Sequence, residues 1–248
     1  MNFHLIHTNR HLETIRKRVG KAIGEFDLIA QGDKIAVGIS GGKDSMTLLY
    51  ILSYLKTYAP VDFTLQAVMV DMGRNSDFKA VHDYCDFLQV PFHTEKTEIA
   101  KIVFEKRQEK NPCSLCANLR RGALNNAAKN LGCNKVALGH HLDDVIETLF
   151  LGMFYEGRIH TFSPKIHLSR VDLTVIRPLV LVNEKTIIKA SQDLKIPKQK
   201  ANCPIEGSTK RAEMKKTIEE LSKRIPNVRE KMLSALRNID VDPMWDRD

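Results

Sequence analysis

Three short stretches hold residue types and spacings that suit chemistry. The first is Ile35-Ala36-Val37-Gly38-Ile39-Ser40-Gly41-Gly42-Lys43-Asp44-Ser45. Its apolar start reads as a buried parallel strand, and Met46–Leu52 beyond it reads as a helix. The turn between them, Ser40-Gly41-Gly42, aims backbone N–H groups and the positive end of a helix dipole outward, which suits phosphate. Its glycines let the backbone approach an anion closely. It is not a Walker A loop. Gly38 stands one residue too near the Gly42-Lys43 pair, and Asp44 occupies the place of the required Ser or Thr.

The second stretch is Cys113-Ser114-Leu115-Cys116, followed by Arg120 and Arg121. Two thiolates at this spacing reach one metal centre, and they also suit redox work. The chain has five cysteines and no second Cys-x-x-Cys, which weakens a zinc-ribbon reading. Three cysteines suit a [4Fe–4S] cluster with one iron lacking a protein ligand. Cys85 falls on the apolar face of an expected helix and reads as core. Cys133 precedes a strand, and Cys203 precedes Pro204. Arg120 and Arg121 suit phosphate, either pyrophosphate or RNA backbone, with a plain solvated pair as the alternative. The third stretch, Gly139-His140-His141-Leu142-Asp143-Asp144, follows a strand and leads into a helix over 145–154. It repeats the strand–glycine–helix order. Asp143 and Asp144 suit Mg²⁺ or work on the substrate, or one of them caps the helix.

The elements that must position these residues alternate along the chain. Strands are expected at 35–39, 63–70, 91–94, 134–138 and 173–179. Helices are expected at 10–29, 43–58, 76–89, 99–109, 145–154 and 184–194, then at 208–224 and 228–239. This order predicts an α/β fold with an open, mainly parallel five-stranded sheet, helices on both faces and a C-terminal helical extension. The expected segments are an N-terminal helical piece at 1–30, a core at 31–182 and a basic extension at 183–248. Ligands in such sheets lie beyond the carboxyl ends of the strands, which puts Asp71 and Met72 at an adenosine site.

A chain of 248 residues, 43% hydrophobic, can fill one large core. The net charge is +8, and residues 184–237 hold 14 Lys/Arg against 7 Asp/Glu, a difference of +7. A polyanion partner, nucleic acid foremost, competes here with ordinary solvated helix faces. No apolar run is long enough to span a bilayer, no signal-peptide pattern opens the chain, and an odd cysteine count argues against a disulfide framework. A cytoplasmic protein is expected.

Ser40–Ser45 resembles the PP-loop of ATP pyrophosphatases, which cleave ATP between the α- and β-phosphates. Together with Cys113–Gly122, Leu138–Asp144, Phe154-Tyr155-x-Gly157, Ile176-Arg177-Pro178-Leu179 and Cys203, it resembles the tRNA 2-thiocytidine synthetase family. The resemblance implies ATP- and Mg²⁺-dependent adenylation of C2 of cytidine 32 in a tRNA anticodon loop, then replacement of its oxygen by sulfur. It also implies a [4Fe–4S] cluster on Cys113, Cys116 and Cys203, fed by a cysteine desulfurase or free sulfide. Lys43, Asp44, Arg120, Asp143 and Asp144 would be catalytic. ATP would rest on Gly38, Ser40, Gly41, Gly42 and Ser45, and beside Asp71, Met72, Gly139 and His140. Arg121, Lys198, Lys200, Lys210 and Arg211 would face tRNA, and a homodimer is open. Two departures stand out: a lone Cys203-Pro204-Ile205-Glu206 where relatives often carry a second Cys-x-x-Cys, and a short C-terminus. Thiolation of another tRNA base, and a non-catalytic zinc-containing RNA-binding protein, are the rival readings; the second leaves both strand–glycine–helix stretches unexplained.

Overall fold

Strand β1 (Asp33–Ile39) sits at the centre of a six-stranded sheet of order β3-β2-β1-β4-β6-β5. The computed structural model describes residues 4–74, 77–107, 112–197 and 210–240. The other strands are β2 (Phe63–Asp71), β3 (Phe92–Lys96), β4 (Lys135–Ala137), β5 (Lys165–Leu168) and β6 (Leu173–Ile176). All pairings are parallel except β5 with β6. The sheet thus has one strand more than the five expected. Lys-Ile-His-Leu of β5 is an exposed edge strand with no apolar run, so it escapes a hydrophobicity reading.

The chain crosses from β1 to β2 through α3 (Lys43–Tyr58) and from β3 to β4 through α6 (Pro112–Asn130). These crossovers step in opposite directions along the sheet. Right-handed connections therefore place the two helices on opposite faces. Side chains alternate along β1, so Ala36 and Gly38 face α6 while Ile35, Val37 and Ile39 face the other side. Ala36 joins Ala127, Ala128, Cys133, Val136 and Val175 in the core under α6. Ser45–Tyr54 of α3 are all buried, because α3 is covered by the sheet on one side and by α2 (Arg10–Glu25) and α8 (Glu184–Asp193) on the other. Helix α2 supplies Leu12, Ile15, Val19 and Ala22 to that contact. Each buried aliphatic residue larger than Ala contributes roughly 1.5–3 kcal/mol. The remaining helices of this part are α1 (His4–Thr8), α4 (Lys79–Phe87) and α5 (Ile99–Lys101). The helix expected over 99–109 is mostly a π-helical turn, Ile102–Arg107.

The chain divides into two compact units, residues 1–141 with 163–202, and residues 142–162 with 203–248. The first holds the sheet. In the second, α7 (Leu142–Leu151), α9 (Lys210–Arg224) and α10 (Val228–Ala235) share a core of Leu142, Ile146, Phe150, Met214 and Ile218. Helix α7 begins three residues earlier than expected, so Asp143 and Asp144 stand inside its first turn. A π-helical turn, Gly152–Glu156, follows it. By sequence the first unit has 27 Lys/Arg against 17 Asp/Glu, a net +10, and the second has 11 against 13, a net −2. No helix among the described residues is long and apolar enough to cross a membrane.

Candidate active site

The glycine turn lies where β1 ends and α3 begins, at the point where the strand order reverses between β1 and β4. Gly41 takes φ +75°, a left-handed conformation that a side chain adopts only at a cost of about 1–2 kcal/mol. Ser45 braces the turn. Its hydroxyl accepts the Ser40 N–H at 3.1 Å and donates to the Gly42 carbonyl at 3.2 Å. Gly42 is the N-cap of α3 and offers no side-chain cap, which leaves first-turn N–H groups to an incoming acceptor. Gly139 backs directly onto this turn: a Cβ there would stand 3.0 Å from the Ser45 nitrogen and 3.1 Å from the Asp44 carbonyl carbon. The two strand–glycine–helix stretches singled out in the sequence thus meet.

The charged groups here are coupled. Lys43 Nζ lies 3.1 Å from Asp44 Oδ2 and 2.9 Å from Glu184 Oε1, at the start of α8. Burial alone would lower the Lys43 pKa; Asp44 and Glu184 overcome it and hold the ammonium charged above its ordinary range. The other Asp44 oxygen, Oδ1, is buried and has no hydrogen-bond partner. Its neighbour is His141, 4% exposed, whose Nε2 stands 3.7 Å away, beyond hydrogen-bond reach. Glu184 and His141 are site residues that sequence reasoning missed. Glu184 carried no signal beyond opening a helix, whereas His141 lay inside a motif already singled out.

At the end of β2, Asp71 and Met72 are half-buried. Thr97 donates its hydroxyl to the Asp71 carbonyl at 2.7 Å, and the Ala100 N–H donates to the Met72 carbonyl at 3.0 Å. Gly73 follows at φ +78°, where a Cβ would fall 2.6 Å from the Thr97 carbonyl oxygen. The backbone of this turn is therefore fixed, with the Met72 side chain partly open to solvent.

Helix α6 runs into β4 as a crossover helix, so its N-terminal half projects toward the carboxyl ends of the strands. Leu124 packs on Gly38, whose absent Cβ would stand 2.8 Å from the leucine Cδ2. Arg121 and Arg120 lie about one turn further toward that end, and Cys113 about 16 Å beyond Leu124. Cys113, Cys116 and Arg120, at i, i+3 and i+7, share one stripe of α6. Cys113 is exposed, Cys116 is half-buried, and both thiols are unbridged. This pair fits two ligands of a cluster. Among the described residues no third Cys, His, Asp or Glu completes a compact group with it; His82, Asp83 and Asp86, exposed on α4, form the one such trio. Cys203 lies outside the described residues, as do Lys198 and Lys200.

Of the expected site residues, Asp143, Asp144, Lys210 and Arg211 belong to the second unit, and His140 to the first. Asp143 accepts from Arg229 Nε at 2.7 Å, and Arg229 also donates to the Ser222 hydroxyl. Arg211 lies 3.3 Å from Asp144 and 3.2 Å from the buried Glu147. Lys210 stands over the Tyr155 ring, 4.1 Å from its centroid. Each aspartate therefore has a guanidinium partner, an arrangement that competes with a divalent cation rather than supplying its site.

Comparison with known proteins accords with this geometry. The PP-loop domain family matches residues 11–216. The tRNA-cytidine(32) 2-sulfurtransferase of Pelobacter propionicus is 46% identical over 231 residues, 91% of this chain and 85% of that protein. The enzyme of the same name from Citrifermentans bemidjiense is 42% identical over 237 residues, 94% of this chain and 93% of its own. Among solved structures, the U34-tRNA thiolase NcsA from Methanococcus maripaludis, determined with its [4Fe-4S] cluster, superposes with a TM-score of 0.76. It covers 93% of this chain and 80% of its own at 24% identity, a likeness of fold. The NMN synthetase of Francisella tularensis, at 14% identity and a TM-score of 0.51, has the same general fold. The chain belongs to the PP-loop domain family and, within it, to the tRNA-thiolating tRNA-cytidine(32) 2-sulfurtransferases.

Proposed function

We propose that this chain uses ATP to convert C2 of cytidine 32 in tRNA from a carbonyl to a thiocarbonyl. The observation that carries this reading is the meeting, at one end of one sheet, of the β1–α3 turn, the Gly139 backbone and the helix end bearing Cys113 and Cys116. In the first step the C2 oxygen attacks the α-phosphorus of ATP, the bond to the β-phosphate oxygen breaks, and pyrophosphate leaves. Lys43 and the first-turn N–H groups of α3 stabilise charge on the phosphates, and Arg120 adds a further cation. Asp44 holds Lys43 in place, and Asp71 and Met72 border the adenosine. In the second step a sulfur nucleophile adds at C2 and AMP departs with the original oxygen.

Cys113, Cys116 and Cys203 would hold a [4Fe–4S] cluster, which would supply the sulfur-handling chemistry. The thiolates of Cys113 and Cys116 fit that role by spacing and exposure. Mg²⁺ accompanies ATP as a counter-charge to the phosphates. Asp143 and Asp144 contribute to catalysis only on exchanging their arginine partners, and Arg121, Lys198, Lys200, Lys210 and Arg211 contribute to tRNA binding. The sulfur comes from a cysteine desulfurase or free sulfide.

The test is reconstitution. Protein loaded anaerobically with iron and sulfide is incubated with MgATP, sulfide and unmodified tRNA, and the tRNA is digested and analysed by mass spectrometry. One AMP and one pyrophosphate per 2-thiocytidine at position 32 is expected. Thiolation of a uridine instead, or no pyrophosphate, overturns the assignment.

A further inference from the structure

Arg177 follows β6 directly and lies outside every role given above. Its Nη1 donates to the Ser163 carbonyl at 2.6 Å, and its Nε donates to His140 Nδ1 at 3.3 Å. His140 belongs to the segment whose Gly139 backs onto the Ser45 turn. β6 is the neighbour of β4, with Ile176 in register with Ala137, so Arg177 emerges at the same end of the sheet as the glycine turn. Arg121, exposed on α6 one turn before the residue that packs on Gly38, projects toward that end too. The two guanidinium groups feel each other: burial, then the like charge of Arg121, pull Arg177 down to about 10. The unit that holds both carries the whole excess of positive charge.

Two guanidinium groups beside a phosphate-binding turn concentrate positive charge where an anion would bind. The Ser163 carbonyl and His140 orient half-buried Arg177, and Arg121 supplies a second planar fork. Arginine forks match the paired oxygens of a phosphate. We infer that Arg121 and Arg177 form a phosphate-binding pair at the carboxyl ends of β4 and β6, with His140 as the residue that positions Arg177. The phosphate is either one released or carried by the nucleotide or a phosphodiester of the RNA. The choice between those sources rests on the thiolation reading; the pair itself does not.

The test uses the whole protein with Arg177→Gln and Arg121→Gln, each checked for fold by circular dichroism. Dissociation constants are measured for inorganic pyrophosphate, for ATP and for tRNA, the last as a function of salt. Loss of one charge-assisted contact weakens the relevant ligand about tenfold. A nucleotide phosphate shows as weaker pyrophosphate and ATP binding with an unchanged tRNA salt slope. An RNA phosphate shows as weaker tRNA binding with the salt slope reduced by about one. Arg177→Lys, which keeps charge but loses the fork and the bond to His140, recovers only part of the affinity. If Arg177→Gln does not fold, Arg121→Gln, on an exposed helix face, carries the same comparison. Affinities for all three ligands within twofold of the parent overturn the inference. All readouts are binding constants, so a protein that shows these losses but never thiolates tRNA contradicts the proposed function alone.

Discussion

The two ends of β1 treat polar groups in opposite ways. At the amino end, Asp33 and Lys135 are buried and satisfied. Asp33 Oδ2 lies 2.6 Å from Lys135 Nζ and accepts the Ala30 N–H, while Oδ1 accepts from Asn134 at 2.8 Å. Lys135 also donates to the Leu28 carbonyl at 2.9 Å. At the carboxyl end, a buried Asp44 oxygen has no hydrogen bond, the N-cap Gly42 supplies no side chain to cap the first turn of α3, and the like charge of Arg121 bears on Arg177. A buried polar group normally finds its partners. The amino end is therefore built to hold strands together, and the carboxyl end is built to be completed by a ligand. The contrast lies within one strand, so packing quality does not explain it.

The contrast breaks most visibly through Lys43→Ala or Asp44→Asn. Either is expected to lower the thiolation rate by about 10²–10³-fold, as loss of a preorganised charge does, while the melting temperature stays within a few degrees. AMP formation and thermal melts check this. A large stability loss in these variants would move the turn into the structural class.

Asp33→Asn should do the reverse. Removing one partner of a buried ion pair costs about 3–5 kcal/mol, read by urea denaturation, with unchanged activity per folded molecule. Its pH signature follows. Burial alone would raise the Asp33 pKa, but Lys135, the Ala30 N–H and Asn134 outweigh it and hold the carboxyl below its ordinary 3.8. A depressed folded pKa means stability that is present above the unfolded value and lost as pH falls through the folded one. The parent should therefore lose this share below the usual aspartate range, and Asp33→Asn should not.

Gly139→Ala sharpens the comparison at smaller scale. Its methyl meets the backbone of Ser45 and Asp44, so ATP affinity should fall about tenfold alongside about 1–3 kcal/mol of stability. Gly20→Ala, mid-helix in α2 with nothing within 4 Å, should stabilise by about 0.5–1 kcal/mol and leave ATP binding alone. The smallest effect concerns thiols. Cys85 is pushed up to about 12 by burial and then Asp86, and burial raises Cys133, at the satisfied end of β4. Iodoacetamide should label exposed Cys113 in cluster-free protein well before either.

Much of this was legible in the sequence because it is local. The β1 apolar run, the Ser40–Ser45 turn and the extent of α3 all announce themselves within a few residues. Helix α6 was not among the expected helices, because its buried face holds small residues such as Ala127 and Ala128 rather than a stripe of large apolar ones. What the sequence concealed is non-local. His141 reaches Asp44 and Glu184 reaches Lys43 across roughly a hundred residues or more of chain, and Arg177 finds His140 only after β6 joins β4. Strand β5 was hidden for a different reason, since its edge position leaves it polar and exposed. The ion pairs of Arg211 and Arg229 with α7 were equally unreadable: basic residues on α9 and α10 look alike until a carboxylate is placed beside them.

On the proposed reading, cytidine 32 is activated at the carboxyl end of the sheet, beside Asp44. This is tested most directly in a strain lacking this gene, complemented with the parent or with Asp44→Asn at matched protein levels, by mass spectrometry of tRNA nucleosides. The account predicts 2-thiocytidine at position 32 with the parent and none with Asp44→Asn. Equal 2-thiocytidine from both would contradict it.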